Sequence, residues 1–452
     1  MQSHRRWLKY VVRLLLVAIL WAAWAMVSHA ETTGASAKTV SISDAITLAI
    51  QSNLQTKLAK AATEEAHGKA IQDAAALLPQ ITGTAAQSRV FKANLAAQGF
   101  EASSFLPDPV IGPYNSFDAR FQLVQKILDL NALWKAKEKY SLTDVKRLEE
   151  DLAAEQVASA AALSYIEDLR TIHDVEDTQA NLDLAQRLAT LAHHQHDAGV
   201  ATGIDVARSE TRVAQDRQRL IQSNLGHTQA EIRLKRVIGL PLLSKIQLVE
   251  PHDGILPPAP AEEAAITQAH SDRSELRILS AQIKAESNKL AAARSNFLPS
   301  LSAMGDYGFS GNTPDGTART GSIGGRLDLP LFTGGKTRGE ILEAKGRQSA
   351  AQSQYEDTGL QIEEDVRLAL YTLAAEVDEV NVSATEVQLS EKELQLAQDR
   401  YSAGVGDNIQ VVTAQASLAD ARKARVDARA RYASAQGNLA MALGRMRGFD
   451  LK

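Results

Sequence analysis

The chain of 452 residues contains no cysteine, few aromatic residues (5%) and only 12 prolines. The absence of cysteine excludes disulfides, thiolate metal sites and a lipid-modified N-terminal cysteine. The scarcity of aromatic residues and prolines favours long helices packed through small side chains over an enzyme with a large aromatic core. The formal net charge of −5 gives no indication of nucleic-acid binding.

Long apolar runs are also missing, apart from one near the N-terminus. Basic residues precede an apolar run over residues 14–27, and small residues at 28–30 offer a cleavage site. The run is shorter than the roughly 20 residues that a membrane helix needs. We predict an export signal over residues 1–30, with an uncleaved anchor as the alternative. No other stretch is apolar enough to span a membrane as a helix, so an exported chain of this kind would have to enter one as strands.

A helix, an Ala-Gly-Val turn and a second helix occur twice in the sequence. Four pairs of identical residues lie 205 positions apart, with no gap between them: Gly199 and Gly404, Ile204 and Ile409, Val206 and Val411, Gly239 and Gly444. Four matches in one register indicate an internal duplication. We predict a first structural repeat over residues 31–250, a proline-rich linker over 251–260 and a second repeat over 261–452.

Each repeat begins with a helical pattern that ends at a proline. In the first, Ser43-Asp44 is predicted to cap a helix that continues to Leu78 and stops at Pro79. In the second, the pattern runs from 264 to 298 and stops at Pro299. After each proline the apolar period changes to two, which predicts a pair of strands in each repeat. The clearest strands are residues 117–123, 300–304 and 326–329, and the predicted loops are residues 98–116 and 310–321.

A long helix follows each strand pair. The chain has neither glycine nor proline between Pro113 and Gly199, or between Gly359 and Gly404. A helix from about Leu130 to His196 would be on the order of 100 Å long at 1.5 Å per residue. In the second copy the apolar residues are spaced alternately by four and three, as in a coiled-coil seam. These residues are Val366, Leu370, Leu373, Val377, Val380, Ala384 and Val387.

Four half-polar strands are too few to close a barrel, since even small barrels need about eight. Open sheet edges are not tolerated in lipid, so several protomers would have to share one barrel. The alternation of polar and apolar residues then predicts a water-filled lumen, which the helices would extend as a tunnel. A soluble sheet is the alternative for the strands considered alone.

The order of these elements resembles the outer membrane efflux protein family, the TolC-like channels, from about Ser41 to Gly444. Residues 329–335 (LPLFTGG) are similar to its P-L-F-x-G-G strand-to-helix junction, and residues 400–404 (RYSAG) to its R-Y-x-x-G hairpin. The resemblance implies a fold that is mainly α with a membrane β-barrel. Two repeats of long coiled-coil helices are continuous with four strands per protomer, and trimerisation closes a 12-stranded barrel. The first repeat departs from the pattern because Lys126 stands where proline is usual, so its bend is expected to differ.

The resemblance also implies where partner proteins and the channel mouth lie. The residues that match its adaptor-contacting tips are Ala198, Gly199, Val200, Ala403, Gly404 and Val405. Glycine there supplies a turn with positive φ, although a glycine that merely ends a helix is the alternative. The family closes its periplasmic mouth with acidic residues just after the tip, where a ring of carboxylates selects cations.

At the two positions that match those acids this chain has Gln410 and Thr413. We therefore predict that Asp205 and Asp407 line the mouth, with helix capping as the alternative role for both. Tyr401 matches a family tyrosine that hydrogen-bonds across the closed mouth, and its counterpart in the first repeat is His196. The departure from the family pattern argues against a tightly cation-selective mouth.

Two further motifs suggest chemistry that we do not predict. His193, His194 and His196 cluster before the first tip, but three nearby histidines on one helix do not all face one ion, so a solvated tip is favoured over a metal site. Residues 334–337 (GGKT) mimic the end of a phosphate-binding loop, but Pro330 stands where its first glycine is needed. No set of residues suggests catalysis, and we predict no enzyme activity, cofactor or metal.

The predicted function is an outer-membrane exit duct of a tripartite efflux or type I secretion system. Such a duct passively conducts substrates from an inner-membrane pump and a periplasmic adaptor to the exterior. The predicted partners are two further copies of the chain, the adaptor, the pump and outer-membrane lipid, without nucleic acid. The predicted location is the outer membrane, with a helical tunnel in the periplasm. The alternatives are a periplasmic coiled-coil adaptor or structural protein without a channel, and a secreted enzyme.

Overall fold

The structure is a computed structural model that describes residues 38–94, 110–250 and 260–451. The predicted export signal (1–30) and all but the last residue of the predicted linker (251–260) lie outside these residues. Eight α-helices are described: α1 (Ile42–Ser52), α2 (Leu54–Ala74), α3 (Leu130–Asp197), α4 (Gly203–Ile238), α5 (Glu262–Asp272), α6 (Ser274–Ser295), α7 (Lys336–Ser402) and α8 (Asn408–Ala442). The described strands are β1 (Lys38–Val40), β2 (Gln80–Val90), β3 (Ala93–Asn94), β4 (Val110–Ile111), β5 (Tyr114–Leu128), β6 (Ile246–Leu248), β7 (Ser300–Gly311) and β8 (Thr317–Asp328).

The single helix predicted before each proline is wrong, because each is two helices. Asn53 adopts an extended backbone between α1 and α2, and its side chain accepts a hydrogen bond from the N–H of Gln55. Arg273, 220 positions later, also has an extended backbone and separates α5 from α6, without a capping hydrogen bond from its side chain. The predicted cap at Ser43 is also wrong by two residues, since Ser41 forms a capping box with Asp44.

Four antiparallel strands form one sheet in the order β2-β5-β7-β8, so β2 and β8 are its edges. The two strand pairs predicted from the alternating pattern are therefore present. The predicted loop over residues 310–321 is wrong, because β7 extends to Gly311 and β8 starts at Thr317. The glycines that suggested a loop instead let strands approach closely: a side chain at Gly308 would collide with the backbone of β5. The predicted loop 98–116 is also too long, since β4 and β5 begin within it.

The two faces of this sheet differ in polarity. The register places apolar side chains of neighbouring strands on one face: Ile81, Phe117, Phe121, Leu123, Phe309 and Ile323. The opposite face carries Asp118, Arg120 and Asp306, where Arg120 forms ion pairs with both carboxylates. Ser322 also donates a hydrogen bond to Asp306. The sheet is thus apolar on one side and hydrogen-bonded and charged on the other.

Two helices dominate the molecule, as predicted. The first, α3, has 68 residues and the second, α7, has 67, so each is about 100 Å long. The predicted seam of α7 is confirmed: Val366, Leu370, Leu373 and Val387 are buried, and the other three members are half-buried. They pack mainly against α8 and, near the turn, against Leu184, Leu188 and Leu191 of α3. Within the described residues, no helix is both long and apolar enough to cross a membrane.

The two strand-to-helix junctions differ, as predicted from the lysine at position 126, where the family usually has proline. In the first, β5 leads almost directly into α3, whose N-cap is Asp129, and Lys126 pairs with Asp129 at 2.8 Å. In the second, residues 329–335 separate β8 from α7. Gly334 and Gly335 there both have left-handed φ values of 61° and 86°. A different local sequence therefore makes a different bend at the same place in each repeat.

Candidate functional site

The tip of each long hairpin is a tight turn made by glycine. Gly199 and Gly404 have φ values of 72° and 73°, in the left-handed region that glycine adopts without strain. The N–H of Val200 donates to the carbonyl of Gln195 at 2.8 Å, and Val405 donates to Arg400 at 3.1 Å. These bonds satisfy carbonyls that the helix ends would otherwise leave unpaired. Both valine side chains point away from the core, with 63% and 71% of their surface exposed.

The two tips lie side by side. A Cβ atom built on Gly404 would be 3.8 Å from Cγ1 of Val200. The side-chain amide of Gln195 donates to the carbonyl of Tyr401 at 3.1 Å, which joins the hairpins one turn above the tips. The six predicted tip residues, Ala198, Gly199, Val200, Ala403, Gly404 and Val405, therefore form one small apolar surface at one end of the molecule.

Asp205 and Asp407 both cap helices, the role that the sequence analysis gave as their alternative. The hydroxyl and N–H of Thr202 donate to Asp205 at 2.7 and 2.9 Å, and the N–H of Ile409 donates to Asp407 at 3.0 Å. The hydrogen bonds from Thr202, aided by nearby Arg208, hold the pKa of the Asp205 carboxyl below its ordinary value. Asp205 therefore keeps its negative charge to lower pH than a free aspartate. Asp407 is exposed and Asp205 is half-buried.

The remaining predicted mouth residues fall into two groups. Gln410 and Thr413 lie on the exposed side of α8, and the Thr413 hydroxyl donates to the carbonyl of Ile409 at 2.7 Å. Tyr401 is instead buried, with only 6% of its surface exposed, and packs in the seam between α7 and α8. Its hydroxyl has no hydrogen-bond partner among the described residues. The structure thus brings the two acids and Tyr401 to the same end of the molecule but does not join them by hydrogen bonds.

A buried polar cluster just above the tips was missed by the sequence analysis. Arg212 and Asp216 on α4 form an ion pair at 2.8 Å, and their side chains are only 6% and 1% exposed. Two hydrogen bonds join α4 to α8: the Asn408 amide donates to Ser209, and the Gln415 amide donates to Asp216, each at 3.3 Å. A signal was present in the sequence. Polar residues occupy inward-facing positions of both helices, three, four or seven residues apart.

A cavity of about 10 Å³ lies inside this cluster. Three buried polar atoms of residues that line it have no hydrogen-bond partner among the described residues: Nη2 of Arg212, Oδ1 of Asn408 and the hydroxyl of Tyr401. The volume is at the lower limit for one water molecule, and the three atoms supply the donors and acceptors that such a water needs. The cluster therefore joins the two hairpins through buried polar contacts.

The histidines before the first tip do not form a three-ligand set within the part of the chain that the structure describes. His193 pairs with Glu210 on α4 at 3.1 Å, and His196 lies 4.0 Å from Asp197. All three rings are exposed. This geometry agrees with the favoured interpretation of a solvated tip.

Comparison with known proteins gives concordant results. Residues 265–445 match the family model described as outer membrane efflux protein. The chain is 25% identical over 390 residues to the pyoverdine export outer membrane protein OpmQ of Pseudomonas aeruginosa, covering 85% of this chain and 81% of OpmQ. These two matches were found from sequence, independently of the fold.

The fold gives the same answer. It is similar to the crystal structure of the outer membrane protein VceC from Vibrio cholerae, with a TM-score of 0.77 and 20% identity over 89% of this chain and 96% of VceC. The CmeC outer membrane channel of Campylobacter jejuni gives a TM-score of 0.78 at 19% identity, covering 91% of this chain and 86% of CmeC. The relatives are outer-membrane proteins and not enzymes, which confirms the prediction that this chain is not an enzyme. The sequence matches and the fold together confirm the resemblance of this chain to the outer membrane efflux proteins.

Proposed function

We propose that this chain is the outer-membrane exit duct of a tripartite efflux or type I secretion system. It would conduct substrates passively, since the energy comes from the pump. The observation that carries the proposal is the continuity of a two-faced, open-edged sheet with helical hairpins about 100 Å long in one chain. The alternative, a coiled-coil adaptor without a channel, does not account for a sheet with an exposed apolar face.

The sheet supports a barrel shared by three copies. Its apolar face exposes Ile81, Phe121 and Ile323, as a lipid-facing surface would. The outer edges of β2 and β8 are unpaired among the described strands, and lipid does not tolerate unpaired edges. Pairing β8 of one copy with β2 of the next closes twelve strands around a polar lumen. Asp118, Arg120 and Asp306 would then face the lumen.

The long helices support the same assembly. α7 and α4 carry exposed leucines and isoleucines along their outer sides, including Leu389, Leu396 and Ile221. Their counterparts 205 positions away are Leu184, Leu191 and Val426, which pack inside the chain. The duplication therefore predicts which helix packs on the exposed leucines and isoleucines of α7 and α4. α7 of one protomer packs on α4 of its neighbour as α3 packs on α8 within the chain.

The hairpin tips are the proposed contact with the adaptor. Two adjacent valines on rigid glycine turns present a small apolar surface whose contacts need no rearrangement. We also propose that Asp205 and Asp407 line the mouth, together with Gln410, Thr413 and, in the closed state, Tyr401. Three symmetry copies of each acid would raise the local cation concentration. Because Gln410 and Thr413 are neutral, we propose a weaker cation preference than a double ring of acids would give.

The division of the chain is also a proposal. Residues 1–30 would be an export signal, and residues 31–250 and 261–452 two copies of one ancestral unit joined by the linker 251–260. The helix breaks at Asn53 and Arg273 are 220 positions apart, the same separation as Pro79 and Pro299, which supports the duplication.

The proposed function is tested by membrane fractionation, followed by detergent extraction and light scattering. We expect the chain in the outer membrane, with a protein mass of three protomers and a hollow rod over 100 Å long in negative-stain images. A soluble monomer or dimer in the periplasm would overturn the exit-duct proposal and favour the adaptor-like alternative.

The docking role of the tips is tested by Gly404→Ile. A β-branched residue in the left-handed region costs about 1–3 kcal/mol, so the turn should rearrange and the apolar surface should be lost. We expect at least a tenfold loss of resistance to a compound that kills a deletion strain, with the trimer retained. Gly334→Ile is the matched control, because Gly334 has a similar φ and open space around it but lies far from the tips. Full resistance in Gly404→Ile would show that the tip does not dock.

A further inference from the structure

A set of metal-ligating side chains lies away from the tips, on the side of α3. One ligand atom each from His173, Glu176 and Glu250 lies within 4.8 Å of the other two. Nδ1 of His173 is 3.1 Å from Oε2 of Glu176, one helical turn along α3. Glu250 comes from a separate part of the chain, two residues after β6. It is the one such set of three within residues 38–94, 110–250 and 260–451.

The fold fixes the approach of Glu250 to α3. β6 pairs in parallel with β1, and Val249 donates from its N–H to the carbonyl of Val40. Val249 is also bound to α3 itself: the fully buried hydroxyl of Tyr165 donates to its carbonyl at 2.7 Å. These two hydrogen bonds hold Val249 beside α3, and they therefore place Glu250, the next residue, next to the helix.

The three groups suit a small divalent cation. Imidazole nitrogen and carboxylate oxygen are both ligands of Zn²⁺, which takes a water in its fourth position when three protein ligands are present. Asp174 and Asp177 lie on the same stretch of α3, so the surroundings are acidic. Arg425 lies 4.0 Å from Asp177, and Arg170, one turn before His173, pairs with Glu167 and Asp427. Among the described residues, neither arginine forms an ion pair with the three proposed ligands.

We propose that His173, Glu176 and Glu250 form a divalent-cation site of the zinc class, which clamps the end of the first repeat to α3. The site lies beside α3 at the last described residue before the predicted linker, so a bound ion would hold the end of the first repeat against this helix. It is independent of the tips and of any channel activity. The proposal goes beyond the exit-duct function and does not depend on it.

The chain supplies its own control for this site. His193 and Glu210 form a pair of the same kind at the same distance, 3.1 Å, on exposed helix surface. No third ligand joins them among the described residues. If a histidine–glutamate pair were sufficient, both places would bind equally. If the third ligand matters, only the His173 site should bind tightly.

The test is metal binding by the full chain, purified in detergent. Zn²⁺ binding is measured by equilibrium dialysis, and Co²⁺ absorption in the visible range reports the coordination geometry. We expect His173→Ala to lose one ion per protomer and Glu250→Gln to bind it roughly 100-fold more weakly, because changes outside the ligand shell alone cost 10–100-fold. His193→Ala should bind as the unchanged protein does.

Two results would overturn the proposal. The first is equal Zn²⁺ affinity and stoichiometry in the unchanged protein and His173→Ala. The second is loss in His173→Ala with no change in Glu250→Gln, which would leave a simple pair on α3 and no clamp. Glu250→Gln is nearly isosteric at an exposed position, so its result does not depend on how well His173→Ala folds. Neither result bears on membrane location or trimer mass, so failure here leaves the exit-duct proposal untouched.

Discussion

Asp216→Leu should destabilise the paired hairpins by about 3–5 kcal/mol, because it leaves the Arg212 guanidinium buried without its carboxylate. Asp216 is 1% exposed and accepts hydrogen bonds from both Arg212 and Gln415. Its loss therefore removes two contacts along α4, to Arg212 and Arg219, and one contact between hairpins, to Gln415. A far-UV circular dichroism melt of the purified protein should show a lower midpoint, and limited proteolysis should cut near residues 198–216 sooner.

A double variant separates the pair from its burial. Arg212→Met combined with Asp216→Leu removes both charges and should recover much of the lost stability, since apolar replacements of buried pairs are often neutral or better. The matched control is Glu343→Leu, which breaks an exposed i,i+4 pair with Arg347 at 2.6 Å. Its expected cost is below about 0.5 kcal/mol. Equal midpoints for Asp216→Leu and Glu343→Leu would show that the Arg212–Asp216 pair is solvated.

Val411→Asp should be the second severe change, at about 4 kcal/mol or more, because it places a carboxylate in an apolar seam. Val411 is 2% exposed and packs with Leu394, Leu418 and Tyr401. We expect a large drop in the melting midpoint and failure of trimer assembly, measured by light scattering. A trimer of unchanged midpoint would mean that this face of α8 is not packed inward.

Thr413→Asp is the control for that substitution. It adds the same charge two residues further along α8, where the side chain is exposed. Folding and assembly should be close to those of the unchanged protein. The variant also adds an acid at a proposed mouth position, so its conductance in a planar bilayer should become more cation-selective.

The elements that sequence analysis predicted are those that local signals specify. The absence of glycine and proline placed α3 to within a few residues, and Gly199 and Gly404 identified the turns. It indicated only the part of α7 after Gly359, since that helix begins at Lys336 and includes Gly339, Gly346 and Gly359. The breaks at Asn53 and Arg273 were missed because neither residue is a glycine or proline. One residue with an extended ψ is enough to interrupt each helix. The loop at 310–321 was wrong because strand pairing, which is non-local, used glycines for close approach.

The candidate site was predicted less completely. The turn geometry and the capping role of Asp205 and Asp407 follow from local sequence, and both were considered. The cluster around Arg212 and Asp216 depends on which faces of α4 and α8 meet, and that is set by the packing of two hairpins far apart in sequence. Their spacing places Arg212 and Asp216 on one face of α4, but charged residues on a helix are usually solvated, so the spacing alone did not show that they are buried.

The polar contacts between hairpins also bear on the symmetry of the proposed trimer. Ser209–Asn408 and Asp216–Gln415 each join residues 199 positions apart, whereas the repeats are offset by 205. The counterparts of Ser209 and Asp216 are Ala414 and Ala421, which cannot make these bonds. Six hairpins around an axis would have nearly six-fold symmetry but would form three pairs. The two hairpins of each pair would be joined by the Ser209–Asn408 and Asp216–Gln415 hydrogen bonds. Such a ring would widen by parting along the three seams between protomers, with each pair moving as one body.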